Sequence, residues 1–255
     1  MSWIGTSTAS KAPGQHVQEF LHQRNLLTQK DTAHAFGVHT TRHYSALVDR
    51  LVVDLLHGAG LAEPGGAEPR SAFAVAGTGS YGRRELCFGS DVDLMIVHRN
   101  GLSEATRKRI AQALYPLWDA RLELGYTFLT AEECLDLMRD ELSVLTAVLD
   151  LRFVFGSRPV FREFERILQE DMNQERRGFL DRLLLYQEKR EGKYGKVDFF
   201  LEPEIKEGLG GLRDLHVMAW ISRLCLGLAR LGRIKQTPDF SHFNLSQLMY
   251  SKRFL

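Results

Sequence analysis

Gly77-Thr78-Gly79-Ser80-Tyr81-Gly82-Arg83-Arg84-Glu85-Leu86, followed two residues later by Gly89-Ser90-Asp91-Val92-Asp93-Leu94, decides how the chain folds. Ahead of it, Ser71-Ala72-Phe73-Ala74-Val75-Ala76 is a short run of small and β-compatible residues that ends in glycine. Behind it, Val92-Asp93-Leu94-Met95-Ile96-Val97 is too apolar and too β-branched for a surface loop. The pattern predicts a strand, a glycine turn, a short helix and a second strand with two aspartates at its start.

That geometry carries chemistry. Alternate strand residues share a face and lie roughly 6.6 Å apart, at about 3.3 Å per residue. Asp91 and Asp93 are therefore expected to point the same way, with Val92 and Leu94 turned to the core. Carboxylates this close repel, and one takes up a proton unless a cation neutralises the pair. Mg²⁺ suits them, since it binds through one or two carboxylates plus substrate phosphates. Gly79 and Ser80 stand where a strand turns into a helix, so backbone N–H groups and the positive helix end are set to hold phosphate oxygens. The two features face one cleft, as metal-assisted attack on a nucleotide α-phosphate requires.

Working outward, a helix is expected over Gln15–Asn25, after a small polar start (1–14) read as disordered. Tyr44, Leu47, Val48, Leu51, Val52, Leu55 and Leu56 recur on one helical face, and Gly58 and Gly60 stop that helix. The segment 61–70, with Pro64, Gly65, Gly66 and Pro69, reads as a linker. On the far side, Ser103 is placed to cap a helix running to about Ala120 and bent at Pro116. Leu122, Leu124, Tyr126 and Phe128 then alternate with other residues in a period of two, the pattern of a third strand. Thr130 and Glu133 form a capping box for the next helix. Phe161–Leu168 and Phe179–Arg190 read as charged amphipathic helices.

A third carboxylate belongs near the third strand. By parity Glu123 faces away from Leu122 and Leu124, towards the aspartate pair. A solvated strand-edge glutamate explains it as well.

A formal charge of +1 with 25% charged residues gives no global basic field for a nucleic-acid polymer. Cys87, Cys134 and Cys225 are odd in number and widely spaced, so free thiols are expected rather than disulfides or zinc ligands. No apolar run approaches the roughly 18 residues of a membrane span, and the start lacks the pattern of a signal peptide. The expected location is the cytoplasm.

Gly79-Ser80 with Asp91-Val92-Asp93-Leu94 resembles the signature of the DNA polymerase β-type nucleotidyltransferase superfamily. The longer text of both blocks is most similar to the PII uridylyltransferase family. Leu201-Glu202-Pro203-Glu204-Ile205-Lys206-Glu207-Gly208-Leu209-Gly210-Gly211-Leu212-Arg213-Asp214 resembles a second segment of that family. The resemblance covers roughly residues 40–230. It implies an α/β (α+β) fold, a small mixed-sheet nucleotidyltransferase core over 71–156, flanked by N-terminal helices (15–60) and a C-terminal helical domain (157–255). It also implies two Mg²⁺ ions (Mn²⁺ as a substitute) on Asp91 and Asp93. Asp150, in a stretch that resembles the family's acid-x-Arg…Gly text, is a further candidate ligand, and Asp119 follows Trp118 as in the family's Trp-Asp. A structural Asp–Arg pair explains the first as well, and a helix end the second. UTP is the implied substrate, its phosphates held by Gly79 and Ser80, and its UMP passes to a tyrosine of a PII-type signalling protein. Lys206 and Arg213 flank the entry to an apolar helix and either reach the triphosphate or, for Arg213, form an ion pair with Asp214 or another acid.

Gly125-Tyr126-Thr127-Phe128-Leu129 departs from the family's Gly-His-Ser-Val-Arg. That loses two polar groups from a strand expected to border the nucleotide and puts the choice of UTP in question. Phe88 replaces a common proline. The family's phosphohydrolase and ACT domains have no counterpart in this sequence, which reads as a fragment cut within the helical region. Two other readings stand beside the first: a transferase for another nucleotide or acceptor, and a catalytically silent nucleotide-binding regulatory module.

Overall fold

A computed structural model describes residues 12–34, 37–61, 73–99, 101–194 and 204–226. The expected linker and the final segment 231–255 fall outside these residues, apart from Leu61, and so does most of the polar start. The chain divides into two units, Met1–Thr130 with Arg152–Arg162, and Ala131–Leu151 with Glu163–Leu255.

The first unit is built on four strands, β1 (Phe73–Gly77), β2 (Val92–His98), β3 (Leu124–Leu129) and β4 (Arg152–Gly156). Their order across the sheet is β3-β2-β1-β4. β1 runs antiparallel to both β2 and β4, whereas β2 and β3 are parallel. The fold is thus the small mixed-sheet α+β core expected, with β4 as an additional strand that the sequence reading did not assign. The parallel pair needs a crossover, and the helices α4 (Glu104–Leu114) and α5 (Pro116–Asp119) supply it.

Ahead of the sheet lie α1 (Pro13–His34), longer than expected, and α2 (Val38–Gly58). The apolar stripe of α2 is the core face: Tyr44, Val48, Leu51, Val52, Leu55 and Leu56 are all buried. They pack with Phe73 and Val75 of β1, Val92, Leu94 and Ile96 of β2, and Ile110 and Leu114 of α4. Full burial of such a side chain contributes about 1.5–3 kcal/mol, so this stripe anchors one face of the sheet.

Ser103 caps α4 as expected, accepting the Thr106 N–H at 3.1 Å. The helix breaks at Tyr115, and Pro116 opens α5 from its first position, where its missing N–H costs nothing. The third strand begins two residues later than its pattern suggests. Arg121 takes a left-handed φ of 57°, and the Leu122 N–H closes back on the Leu117 carbonyl at 3.1 Å.

The second unit is helical: α6 (Ala131–Asp140), α7 (Leu142–Leu149), most of α8 (Arg158–Gln174), α9 (Arg176–Tyr194) and α10 (Leu212–Leu226). Cys134, Met138, Leu145, Leu168, Leu183, Trp220 and Leu224 are buried there. Arg182 donates to the Met138 carbonyl at 2.6 Å, and Arg223 to that of Leu149 at 2.5 Å. No described helix is long and apolar enough to cross a membrane.

Candidate active site

The glycine turn is α3 (Gly79–Gly82), a single helical turn between β1 and β2. Gly77 ends β1 because a Cβ there would stand 2.8 Å from the Tyr81 ring, which folds back over the strand end. Gly79 adopts φ 56°, a left-handed conformation that side chains disfavour. Within the turn, the Gly82 N–H bonds to Thr78 O at 2.8 Å and the Arg83 N–H to Gly79 O at 3.0 Å. The N–H groups at its start have no acceptor one turn behind them inside the helix.

β2 presents the aspartates as alternation requires. Asp91 and Asp93 are exposed while Val92 and Leu94 are buried. The Thr78 N–H donates to the Asp93 carbonyl at 3.0 Å, carrying the β1–β2 ladder to the edge of the turn. On β3, Gly125 is the register partner of Asp93. A Cβ at Gly79 would lie 3.4 Å from Asp93 Oδ2, and one at Gly125 would lie 3.0 Å from Asp93 Oδ1. The carboxylate thus sits between two glycines, on the sheet face opposite the α2 stripe. Partial burial, and then the charge of Asp91, push its pKa above the ordinary 3.8. A divalent cation would relieve that repulsion, and an oxygen donor pair suits Mg²⁺.

Glu123 is exposed just before β3, and its backbone carbonyl accepts the Val92 N–H at 2.7 Å. The three acids therefore stand at the same end of adjacent strands. Among the described residues, no group of three or more His, Cys, Asp or Glu side chains is gathered to hold a metal ion. Two carboxylates with substrate phosphates completing the shell is the fit this donor set allows.

Register also places the altered third strand. Gly125 and Thr127 share the Asp93 face, whereas Tyr126 and Phe128 pack against the core cluster. Of the two positions where polar groups are missing, 126 points to the core side and Leu129 is buried. Phe88 packs against Tyr44 with the rings tilted by 54° and their centroids 4.7 Å apart.

Asp119, Asp150, Lys206 and Arg213 are the remaining candidates. Asp119 is exposed at the end of α5. Asp150, Lys206 and Arg213 belong to the second unit. Asp150 is buried, and its Oδ1 accepts the Trp220 indole N–H at 3.1 Å. Lys206 is exposed in a loop whose Lys206 and Glu207 N–H groups both bond to Glu204 Oε1. Arg213 pairs with Glu207 at 2.8 Å. Burial alone would raise the Glu207 pKa, but this pairing outweighs it and holds the carboxyl below its ordinary value. Asp214 pairs instead with Arg190 and accepts the Gly210 N–H at 2.7 Å.

A cluster behind the turn escaped the sequence reading. Asp49 of α2 accepts the Tyr81 hydroxyl at 2.6 Å and both terminal nitrogens of Arg152, at 3.0 and 2.9 Å. One signal pointed to it: Ser45 and Asp49 fall in line with Val52 and Leu56 on a face that is otherwise apolar.

Comparison with known families divides the chain in the same sense. The model of the GlnD PII-uridylyltransferase family matches residues 178–255, and that of the DUF294 nucleotidyltransferase family matches residues 20–132. The bifunctional uridylyltransferase/uridylyl-removing enzyme of Gluconobacter oxydans is 33% identical over 218 residues, 82% of this chain and 23% of that protein. The enzyme of the same name from Cereibacter sphaeroides is 37% identical over 191 residues, 71% of this chain and 20% of its own. That of Aromatoleum aromaticum is 39% identical over 160 residues, 63% of this chain and 18% of its own. The chain spans about a fifth of the length of these curated relatives.

Proposed function

Since the chain belongs to the PII uridylyltransferase family, we propose that it transfers UMP from UTP to a tyrosine hydroxyl of a PII-type signalling protein and releases pyrophosphate. The supporting observation is the Asp93 carboxylate, seated between Gly79 and Gly125 beside Asp91.

In this reading the start of α3 binds the terminal phosphates through the backbone at Gly79 and Ser80. Asp91 and Asp93 hold Mg²⁺, or Mn²⁺ in its place. When bound, such ions supply charge neutralisation for the phosphates and lower the pKa of the attacking hydroxyl. The tyrosine oxygen forms a bond to the α-phosphorus, and the bond from that phosphorus to the bridging oxygen of the β-phosphate breaks. Pyrophosphate leaves with the electron pair. A free tyrosine has a pKa of about 10, so its proton needs an acceptor, and Glu123 on the neighbouring strand end takes that role. Asp150, already committed to Trp220, serves the second unit's core.

The test is to incubate the chain with Mg²⁺, a purified PII-type protein and each nucleoside triphosphate in turn, then weigh the acceptor. A mass gain of one uridylyl group on a tyrosine is expected with UTP. No gain with any nucleotide would overturn the reading, and a gain from another nucleotide would reassign its substrate.

A further inference from the structure

The Gly79–Gly82 turn is too short to hold its own shape, because four residues close few internal hydrogen bonds. Two elements distant in sequence grip it from behind. Arg152, the first residue of β4, donates from Nε to the Gly82 carbonyl at 3.2 Å and from a terminal nitrogen to the Tyr81 carbonyl at 3.0 Å. Both carbonyls belong to the C-terminal end of the turn, which favours a cation, although the Tyr81 carbonyl also accepts the Arg84 N–H at 3.1 Å. The same guanidinium lies over the Tyr81 ring, 4.9 Å from its centroid.

Asp49 fixes Arg152 in turn. Its carboxylate receives the arginine fork on both oxygens and the Tyr81 hydroxyl on one. Burial, reinforced by the Asp49 charge, raises the Tyr81 pKa well above 10, so that hydroxyl remains a donor. A turn below Asp49 on α2, the buried Ser45 hydroxyl accepts the Leu86 N–H at 3.4 Å and so steadies the segment that leaves the turn. Asp49 is carried by α2, whose apolar stripe packs on the sheet face opposite Asp93.

We propose that Asp49, Arg152 and the Tyr81 hydroxyl are positioning residues: they set the Gly79–Ser80 backbone at its spacing from Asp93, so that the nucleotide's phosphates meet a preformed surface. This rests on the nucleotidyltransferase reading and adds to it the source of the site's rigidity. Lysine at 152 keeps the charge but not the planar fork that reaches two carbonyls and a carboxylate together.

The full 255-residue chain, Arg152→Lys and Tyr81→Phe are titrated calorimetrically with each of the four nucleoside triphosphates and Mg²⁺, and the Tm of each protein is recorded. If the loosened turn holds the binding geometry in about a tenth of molecules, Kd rises about tenfold in Arg152→Lys while the binding stoichiometry stays near one. For Tyr81→Phe, which removes a single bond, a rise of about threefold is expected on the same footing. A role confined to stability lowers Tm and the number of competent sites and leaves Kd of the remainder alone. Unchanged Kd in both variants, with binding by the parent chain, overturns the positioning role and leaves the proposed activity standing. A parent chain that binds no nucleotide overturns that activity and this inference with it. If Arg152→Lys does not fold, Tyr81→Phe and Asp49→Asn decide the matter by the same readout.

Discussion

Gly125 is paired in register with Asp93 on the neighbouring parallel strand, and a methyl group at 125 would stand 3.0 Å from the aspartate's Oδ1. The missing side chain on β3 is what gives the carboxylate its place. Gly125→Ala should therefore weaken divalent-ion affinity about tenfold by turning Asp93 aside. The strand itself gains a residue with less conformational freedom to lose, so stability should change by no more than about 1 kcal/mol. Mn²⁺ titration followed by electron paramagnetic resonance, alongside urea unfolding, separates the two effects.

Replacing both Asp91 and Asp93 by asparagine should abolish Mg²⁺-dependent nucleotidyl transfer. Both side chains are exposed, and surface substitutions of this kind usually move stability within about 0.5 kcal/mol. A double variant with unchanged Tm and full transfer activity would remove these residues from the chemistry.

Asp93 also predicts a pH dependence. Its folded pKa lies above the ordinary 3.8, so the folded chain binds more protons than the unfolded one between those two values. Without divalent ions this carboxyl's contribution to stability falls as pH rises through that window and then levels off. Mg²⁺ competes with the proton, so its affinity should fall as pH drops, with a midpoint above that of a free aspartate. Paired Tm and Mg²⁺-affinity profiles check both signs, and Asp93→Asn should flatten each.

Asp150 gives a contrasting case. Asp150→Ala leaves the buried Trp220 N–H without its acceptor, a loss of about 1–3 kcal/mol. Asp150→Asn keeps an acceptor oxygen and should recover most of that. Neither change should alter Mn²⁺ affinity in the folded chain, and a large drop in both variants would return Asp150 to the set of metal ligands.

Thiol reactivity should follow burial. Cys134 is fully buried, and desolvation pushes its pKa up to about 12. Cys87 is exposed. A disulfide reagent at pH 8 should modify Cys87 in the native chain and reach Cys134 only after unfolding.

Local rules carried the sequence reading a long way. The β1–turn–β2 segment was legible because glycine placement and strand alternation act over a few residues, and the α2 stripe because helical periodicity repeats for more than three turns. Arg152-Phe153-Val154-Phe155-Gly156 was not read as a strand. It is short, shows no alternation, and pairs with β1, which lies far away in the chain. The Asp49–Arg152 fork spans 103 positions, and no local pattern encodes a contact of that separation. Position 126 was legible by the same rule: alternation groups Tyr126 with Leu122, Leu124 and Phe128, and the register with Leu94 puts it on the core side.

The order β3-β2-β1-β4 has a practical corollary for anyone dividing this protein. The nucleotidyltransferase family match stops at residue 132, yet the sheet's last strand begins at Arg152, after two helices assigned to the other unit. A chain shortened at that match would strip β1 of a neighbour, leaving a bare apolar edge prone to self-association. It would also discard the arginine that braces the glycine turn. The smallest piece worth expressing on its own must run past Gly156, so the boundary drawn by similarity and the boundary drawn by folding are different places.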